Sequence, residues 1–392
     1  MNRDAAIGQK SASILIVDDV AANLQVLTGM LDDRGYLTRP VTSGKMALLA
    51  AQNDPPDLVL LDITMPGMDG YEVCARMKAN EKLKDIPVIF ISALHETLDK
   101  VKGFSVGGLD YVTKPFQFEE VHARVETHLK LRRLQVQLEE QNRLLLESRQ
   151  AVMLQLTQAA DYVMSLIPPP IRRGSIRTDW RLIPSSQLGG DSFGYHWIDK
   201  DHFAVYLLDV SGHGVGPALL SVSVLNVLRS QSLPDADFRI PAQVFRALNG
   251  AFPMEKHGGL YFTAWYGVFN KARRELRYAG GGHPPALILN ADGRAADVPV
   301  SGPPLGCDPD AAYEDSVLKV ISAAELCVFS DGCYEVQRPD GNMWSYEEFE
   351  ALLIQTLANG VSDLDALYCH VRKIGGGEVL EDDFSILKVS FT

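Results

Sequence analysis

The sequence contains no apolar run approaching the ~18 residues of a membrane-crossing helix. Its opening residues, MNRDAAIGQK, have neither the apolar core nor the cleavage pattern of an export signal, so we expect a soluble cytoplasmic protein with no membrane contact. Cysteine is scarce: Cys74, Cys307, Cys327, Cys333 and Cys369 form no close pair and no metal-ligand spacing. That excludes a disulfide framework and a thiolate zinc site. Basic charge is scarce as well, with 37 Lys and Arg against 50 Asp and Glu and a net charge of −13, which excludes a basic face for nucleic acid or anionic lipid. What remains is a chain of 392 residues, 46% of them apolar, enough to bury two or three separate cores.

Three segments differ in pattern. From about residue 12 to 127, the runs SILIV, LVLLD and PVIFIS read as strands covered on both faces, because their apolarity is continuous. Between them NLQVLTGMLDDRG, closing on Gly35, and KMALLAAQN have helical spacing. The alternation predicts a doubly wound parallel α/β sheet of residues 1–127, with residues 1–11 flexible. Residues 117–167 contain no glycine and no proline. A seven-residue register runs through Leu131, Leu134, Leu138, Gln141, Leu145, Ser148, Val152, Gln155, Ala159, Tyr162 and Leu166. One of its two columns is apolar and the other carries Gln, Ser and Gln, which predicts a long helix over 128–167 that pairs as a parallel coiled-coil homodimer. PPPI at 168–171 ends it. Residues 168–392 hold many short strands, RLIP, FAVYLLDV, YFTAWYGVFN, RELRYAG, PALILN, ELCVFSDG and FSILKVSF, with few helices, among them one at GVGPALLSVSVLNVLRS and YEEFEALLIQTLANG closed by glycine. This predicts an α+β domain of face-to-face sheets.

In the first segment, Asp18 and Asp19 follow the strand SILIV and Asp62 follows LVLL. Ligands of an open α/β sheet bind at the carboxyl ends of its strands. Three carboxylates meeting there repel one another unless a cation joins them, and an oxygen-only set suits a hard ion such as Mg²⁺. Ser92 and Lys114 add the hydroxyl and ammonium that a phosphoryl group on a carboxylate needs. In order and spacing, VDD, LLDITMPGMDG, ISA and YVTKPF closely resemble the CheY-like receiver domain of response regulators. The resemblance implies a five-stranded sheet, Asp62 as phospho-acceptor, and Asp18, Asp19, Asp62 itself and the Thr64 carbonyl as Mg²⁺ ligands. It further implies Ser92 and Lys114 as phosphoryl-binding residues, Tyr111 as the switch aromatic, and a histidine kinase or other phospho-donor as partner.

The second acidic set is scattered: Asp191 in LGGDSFG, Asp209 in LLDVSGHG, Asp331 in VFSDGCYE, and Asp382 and Asp383 in EDDFSIL. Each follows glycines or ends a strand, where a carboxylate can turn inward. No His or Cys cluster accompanies them, so zinc is disfavoured and a two-metal oxygen site fits, its ions about 3.5–4 Å apart. No nucleophilic serine or cysteine is required. Together with YFTAWYGVFN, RYAGGGHPPALIL and GPPLG, these motifs resemble the SpoIIE/RsbU branch of metal-dependent (PPM) Ser/Thr protein phosphatases. The resemblance implies a β-sandwich flanked by helices and catalysis by water at two Mn²⁺ or Mg²⁺ ions. It implies Asp191, Asp209 and the Val210 carbonyl as central ligands, Asp331 and Asp382 on the second ion, and Asp383 as an additional candidate ligand. Gly194 stands where many members have a second aspartate, and Ser385 stands where threonine is usual. His213 and His283 read as structural, and KIGGGEV at 373–379 reads as a mobile loop near the site, because it lacks the ending of a phosphate loop.

Joined, the two resemblances imply a response regulator in which phosphorylation of Asp62 controls a phosphatase. The implied substrate is a phosphorylated STAS-type anti-sigma-factor antagonist. The competing reading, from RssB-type adaptors, is a phosphatase fold that binds a sigma factor for proteolysis without catalysis. A DNA-binding regulator is disfavoured, because no basic helix-turn-helix follows the receiver.

Overall fold

The computed structural model describes residues 11–93, 97–185, 187–291, 293–358, 364–377 and 380–392. The expected flexibility of residues 1–11 and the closing glycine of YEEFEALLIQTLANG therefore lie outside the described residues, except for Ser11. Contacts divide the chain into two units, residues 1–149 and 150–392. Among the described residues, no helix is long and apolar enough to cross a membrane.

The first unit is a parallel sheet in the order β2-β1-β3-β4-β5. Its strands are β1 (Ser13–Val17), β2 (Leu37–Val41), β3 (Leu58–Asp62), β4 (Val88–Ser92) and β5 (Asp110–Thr113). Helices α1 (Ala21–Asp32), α2 (Gly44–Asn53), α3 (Gly70–Lys78), α4 (Thr97–Ser105) and α5 (Phe118–Leu166) alternate with them. Every residue of β3 and β4 is buried, which explains their unbroken apolarity. Helix α3 begins where it does because the Asp69 carboxylate accepts the Glu72 N–H at 2.8 Å. The next residue, Gly70, has no room for a side chain: a Cβ would lie 2.2 Å from the Asp62 carbonyl oxygen.

Helix α5 is continuous over 49 residues. Val121, Val125 and Leu129 pack into the core with Ile14, Ile16 and Leu27. Farther along the helix, Leu131, Leu134, Leu138, Leu145, Val152 and Tyr162 are exposed.

The second unit is a sandwich of two antiparallel five-stranded sheets. One sheet runs β13-β10-β9-β8-β7 and the other β12-β11-β14-β15-β6. The first contains β7 (Ser192–Trp197), β8 (His202–Val210), β9 (Phe262–Asn270), β10 (Glu275–Gly281) and β13 (Ser316–Lys319). The second contains β6 (Ile176–Ile183), β11 (Ala286–Leu289), β12 (Ala295–Val298), β14 (Ala324–Phe329) and β15 (Phe384–Phe391). Phe203, Val205 and Leu207 of β8 meet Val328 of β14 and Leu387 and Val389 of β15 in the central core. The alternate residues Ala204, Tyr206 and Leu208 face the helices α6 (Val215–Ser230) and α7 (Pro241–Ala251). On the other side, Phe329, Phe384 and Ile386 face α8 (Tyr346–Ala358) and α9 (Leu364–Ile374). Strands so covered bury both faces. Trp265, Phe203 and Phe391 are fully buried, and each such side chain contributes about 1.5–3 kcal/mol of transfer free energy.

Five strands escaped the sequence reading, β2 and β5 in the parallel sheet and β7, β12 and β13 in the sandwich. β7 begins inside the LGGDSFG motif, and β12 and β13 are four-residue strands carrying exposed residues. One expectation is corrected in part. Lys373 and Ile374 of KIGGGEV close α9 rather than joining a loop, while residues 378 and 379 lie outside the described residues.

Candidate functional site

At the carboxyl end of the parallel sheet, Asp18, Asp19 and Asp62 come together with one ligand oxygen from each within 4.8 Å of the others. Strand geometry does this, since Asp18 directly follows β1 and Asp62 ends its neighbour β3. Lys114 Nζ lies 2.9 Å from Asp18 Oδ2 and 2.9 Å from Asp62 Oδ2. Burial pushes Asp62 above the usual carboxylate range, and the Lys114 ammonium only partly offsets it. Burial also opposes the charge on Lys114, but hydrogen bonds to Asp18 and Asp62 outweigh it and hold the amine above its ordinary value. Ser92, at the end of β4, is buried, and its carbonyl accepts the Lys114 N–H at 2.9 Å. Tyr111, on β5, packs edge-on to Phe104 at 6.0 Å between ring centres, whereas Thr64 is exposed.

Asn23 was not read from the sequence. Its amide donates to both oxygens of Asp18, at 3.0 and 2.9 Å, and the Val20 N–H donates to Oδ1 at 2.9 Å. Its position in the first turn of α1, five residues after Asp18, was the available signal. A second network ties α5 to β5: Arg124 Nη1 lies 2.5 Å from Asp110 Oδ1, and His128 Nε2 lies 3.2 Å from Asp110 Oδ2.

In the sandwich, strand register gathers the second acidic set at one end of the central core. Ser192 on β7 pairs with Leu208 on β8, so Asp191 lies across from Asp209. Asp209 shares the inward face of Leu207, and its position extends the core outward. On the opposite sheet, Phe329 of β14 pairs with Ile386 of β15, and the Ser330 N–H donates to the Ser385 carbonyl at 3.0 Å. That places Asp331 two residues beyond the end of β14 and Asp382 just before β15. Asp191 and Asp383 are buried, Asp209 and Asp331 are partly buried, and Asp382 is exposed.

Their charges interact. Burial, then the charges of Asp209 and Asp383, hold Asp191 well above the usual carboxylate range, while the hydroxyls of Ser385 and Ser330 act the other way. Burial, then Asp331 and Asp382, push Asp209 up to about 7. Burial, then Asp382 and Glu335, push Asp331 up to about 6. Among the described residues, Asp191 Oδ2 and Asp331 Oδ1 are buried without a hydrogen-bond partner. Orphaned carboxylate oxygens that repel one another are what a divalent cation would relieve, so the donor set fits oxygen-bound Mg²⁺ or Mn²⁺. The set is wider than the first: among the described residues, no three of these aspartates approach within 4.8 Å as Asp18, Asp19 and Asp62 do.

Glycines let backbone into the site. A Cβ at Gly190 would lie 2.3 Å from the Val210 carbonyl oxygen, one at Gly189 would lie 2.0 Å from Asp383 Oδ2, and one at Gly332 would lie 2.2 Å from the Asp383 carbonyl oxygen. Gly194 is different. A Cβ there would meet the Tyr206 ring, which belongs to the layer beneath α6 and α7. His213 is exposed, and His283 is buried with Nδ1 2.9 Å from the Pro284 carbonyl. Sequence reasoning missed Glu335, Ser330 and Ser185, although Ser330 lies between the end of β14 and Asp331.

Residues 14–126 match the response regulator receiver domain, and residues 199–392 match the family described as Stage II sporulation protein E, SpoIIE. Response regulator PleD of Caulobacter vibrioides is 40% identical over 117 residues, covering 30% of this chain and 26% of PleD. The DNA-binding dual master transcriptional regulator RpaA of Synechocystis is 39% identical over 117 residues, covering 30% of this chain and 48% of RpaA. The chain thus spans between about a quarter and about half of the length of these curated relatives. The SiaA PP2C domain of Pseudomonas aeruginosa superposes with a TM-score of 0.53 at 16% identity, covering 62% of this chain and 99% of that domain, a likeness of fold.

Proposed function

Because this chain joins a receiver domain to a SpoIIE-type phosphatase domain, we propose that it is a response regulator in which phosphorylation of Asp62 controls metal-dependent hydrolysis of protein phosphoserine or phosphothreonine. The observation that carries the phosphatase half is the convergence of Asp191, Asp209, Asp331 and Asp382, with buried oxygens left unpartnered. Bound there, two Mn²⁺ or Mg²⁺ ions supply acidified water and charge stabilisation at phosphorus. In this reading Asp191, Asp209 and the Val210 carbonyl hold the central ion and Asp331 and Asp382 the second. The rigid strands beneath them keep these oxygens in place, so that little reorganisation is needed when charge builds up on the phosphoryl group. The surviving carboxylates favour an enzyme over a phosphatase fold that only binds a sigma factor.

In the receiver, Asp62 accepts the phosphoryl group from a histidine kinase or another donor. Asp18, Asp19 and the Thr64 carbonyl hold Mg²⁺, and Ser92 and Lys114 bind the phosphoryl oxygens. Tyr111 follows the change, and Arg124, paired with Asp110 beside it, passes the change to α5. The exposed apolar positions of α5 pair it with a second copy in parallel. The substrate in this reading is a phosphorylated STAS-type anti-sigma-factor antagonist in the cytoplasm.

The test is Mn²⁺-dependent phosphate release from a phosphothreonine peptide by the full chain, with Asp209→Asn as control and acetyl phosphate as phosphoryl donor. Metal-dependent release lost in Asp209→Asn, and altered by the donor in the parent but not in Asp62→Ala, supports the proposal. Parent and Asp209→Asn equally inert would favour the adaptor reading. Release that ignores both the donor and the Asp62→Ala change would remove the receiver's control.

A further inference from the structure

Asp383 differs from the acidic residues around it. It is 3% exposed, yet neither carboxylate oxygen is orphaned. The Ser185 N–H donates to Oδ1 at 2.8 Å, and the Ser185 hydroxyl donates to the same oxygen at 3.2 Å. The Asp191 N–H donates to Oδ2 at 3.2 Å. Gly189 is packed so tightly against Oδ2 that a Cβ would come within 2.0 Å of it. The backbone of Asp383 is equally engaged. Its carbonyl accepts the Ser330 hydroxyl at 3.2 Å, and its N–H donates to Asp382 Oδ1 at 2.7 Å. One residue thus touches the segments that carry Asp191, Asp331 and Asp382, although Ser185 and Asp191 lie almost two hundred positions away in sequence.

A carboxylate whose lone pairs already receive backbone N–H groups has lost much of its capacity to hold a cation, whereas the orphaned Asp191 Oδ2 has kept it. The geometry points to Asp383 as a positioning residue rather than a metal ligand. It ties Ser185 to the stretch of residues 187–191 so that the Asp191 carboxylate faces the cluster. Gly189 is glycine because the clamp leaves no space for a larger residue. The inference rests on the metal-phosphatase reading only in assigning Asp191 to an ion; the clamp itself is a property of the protein without metal.

The experiment uses the full chain and two readouts besides turnover: amide hydrogen exchange at Ser185 and residues 187–191 in chelator, and Mn²⁺ binding followed by calorimetry. Loss of hydrogen bonds to a charged group predicts that Asp383→Ala exchanges Asp191 and its loop neighbours at least about tenfold faster. Loss of a positioning partner predicts Mn²⁺ affinity reduced about 10–100-fold. Turnover at saturating Mn²⁺ should then recover, which Asp209→Asn does not allow. Asp383→Asn keeps the shape and one acceptor, so it should fold and fall between parent and Asp383→Ala in both readouts. Gly189→Ala should reproduce the loss in the parent background and cost less beside Asp383→Ala, because the clashing oxygen is gone. Weakened Mn²⁺ binding with unchanged exchange would make Asp383 a ligand and overturn the inference. So would parent-like exchange and parent-like Mn²⁺ binding in Asp383→Ala. If the parent bound no Mn²⁺ and released no phosphate, the phosphatase reading would fail while the exchange result still judged the clamp.

Discussion

The ring of Tyr206 occupies the space above Gly194: a Cβ at position 194 would lie 2.5 Å from the Tyr206 hydroxyl and 2.6 Å from its ring carbons. The two residues are cross-strand partners, and Tyr206 stacks on Tyr266 with ring centres 5.8 Å apart. The absent aspartate of the family pattern therefore corresponds to a filled position under the helices. Gly194→Asp should not raise Mn²⁺-dependent turnover. Overpacking alone should cost about 1–3 kcal/mol, with the buried carboxylate adding to it, which a lowered thermal midpoint would register. Higher turnover at unchanged stability would contradict this placement.

The mutual repulsion of the second acidic set should make the metal-free protein acid-favouring. Asp209 has a folded pKa near 7, above its ordinary 3.8, so the folded state holds the proton more tightly than the unfolded chain. Stability from this group is present at low pH and is lost as pH rises from about 4 through 7, at most about 4 kcal/mol in all. In chelator, Asp209→Asn should be more stable than the parent at pH 7.5, with the gap closing toward pH 4. Urea unfolding of the phosphatase half at several pH values measures it. A constant gap would show that the charge is not the cause.

His283 should act in the opposite sense. Burial pushes its pKa from 6.5 down to about 4, because the protonated ring would sit without water. The unfolded chain then binds the proton more readily. Stability from this group, up to about 3 kcal/mol, is present above pH 6.5 and lost as pH falls toward 4. His283→Gln should flatten that acid-side loss, compared by the same unfolding series. An unchanged slope would show that the ring is hydrated.

The exposed leucines of α5 predict association. Leu138 is 59% exposed and Leu145 is 67% exposed in the single chain, on one column of the seven-residue register. Leu138→Asn with Leu145→Asn should shift the sedimenting species from dimer toward monomer while leaving helix content in circular dichroism nearly unchanged. A parent that sediments as a monomer at tens of micromolar would remove the coiled coil.

Much of this was legible in the sequence because the relevant signals are local. Continuous apolarity marked β1, β3 and β4, and an aspartate at a strand end marked Asp18, Asp62 and Asp209. The absence of glycine and proline marked α5. The rest depends on pairings between distant segments. The Ser185–Asp383 bond and the meeting of Ser330 and Ser385 with Asp191 follow from sandwich register, which no local pattern carries. β7 was obscured because glycine and aspartate at its start have the composition of a loop. Tyr206 at Gly194 could not be foreseen, because a missing side chain does not say what fills its place.

β6 and β15 are hydrogen-bonded neighbours from Ile176 paired with Phe391 to Ile183 paired with Phe384. During synthesis, the first strand of the sandwich must wait unpaired on that side until Phe391 has left the ribosome. The acidic centre, whose Asp382 lies two residues before β15, cannot close before then. The cluster therefore assembles in one step when β15 docks, after a period in which an incomplete sheet edge must be kept from other chains.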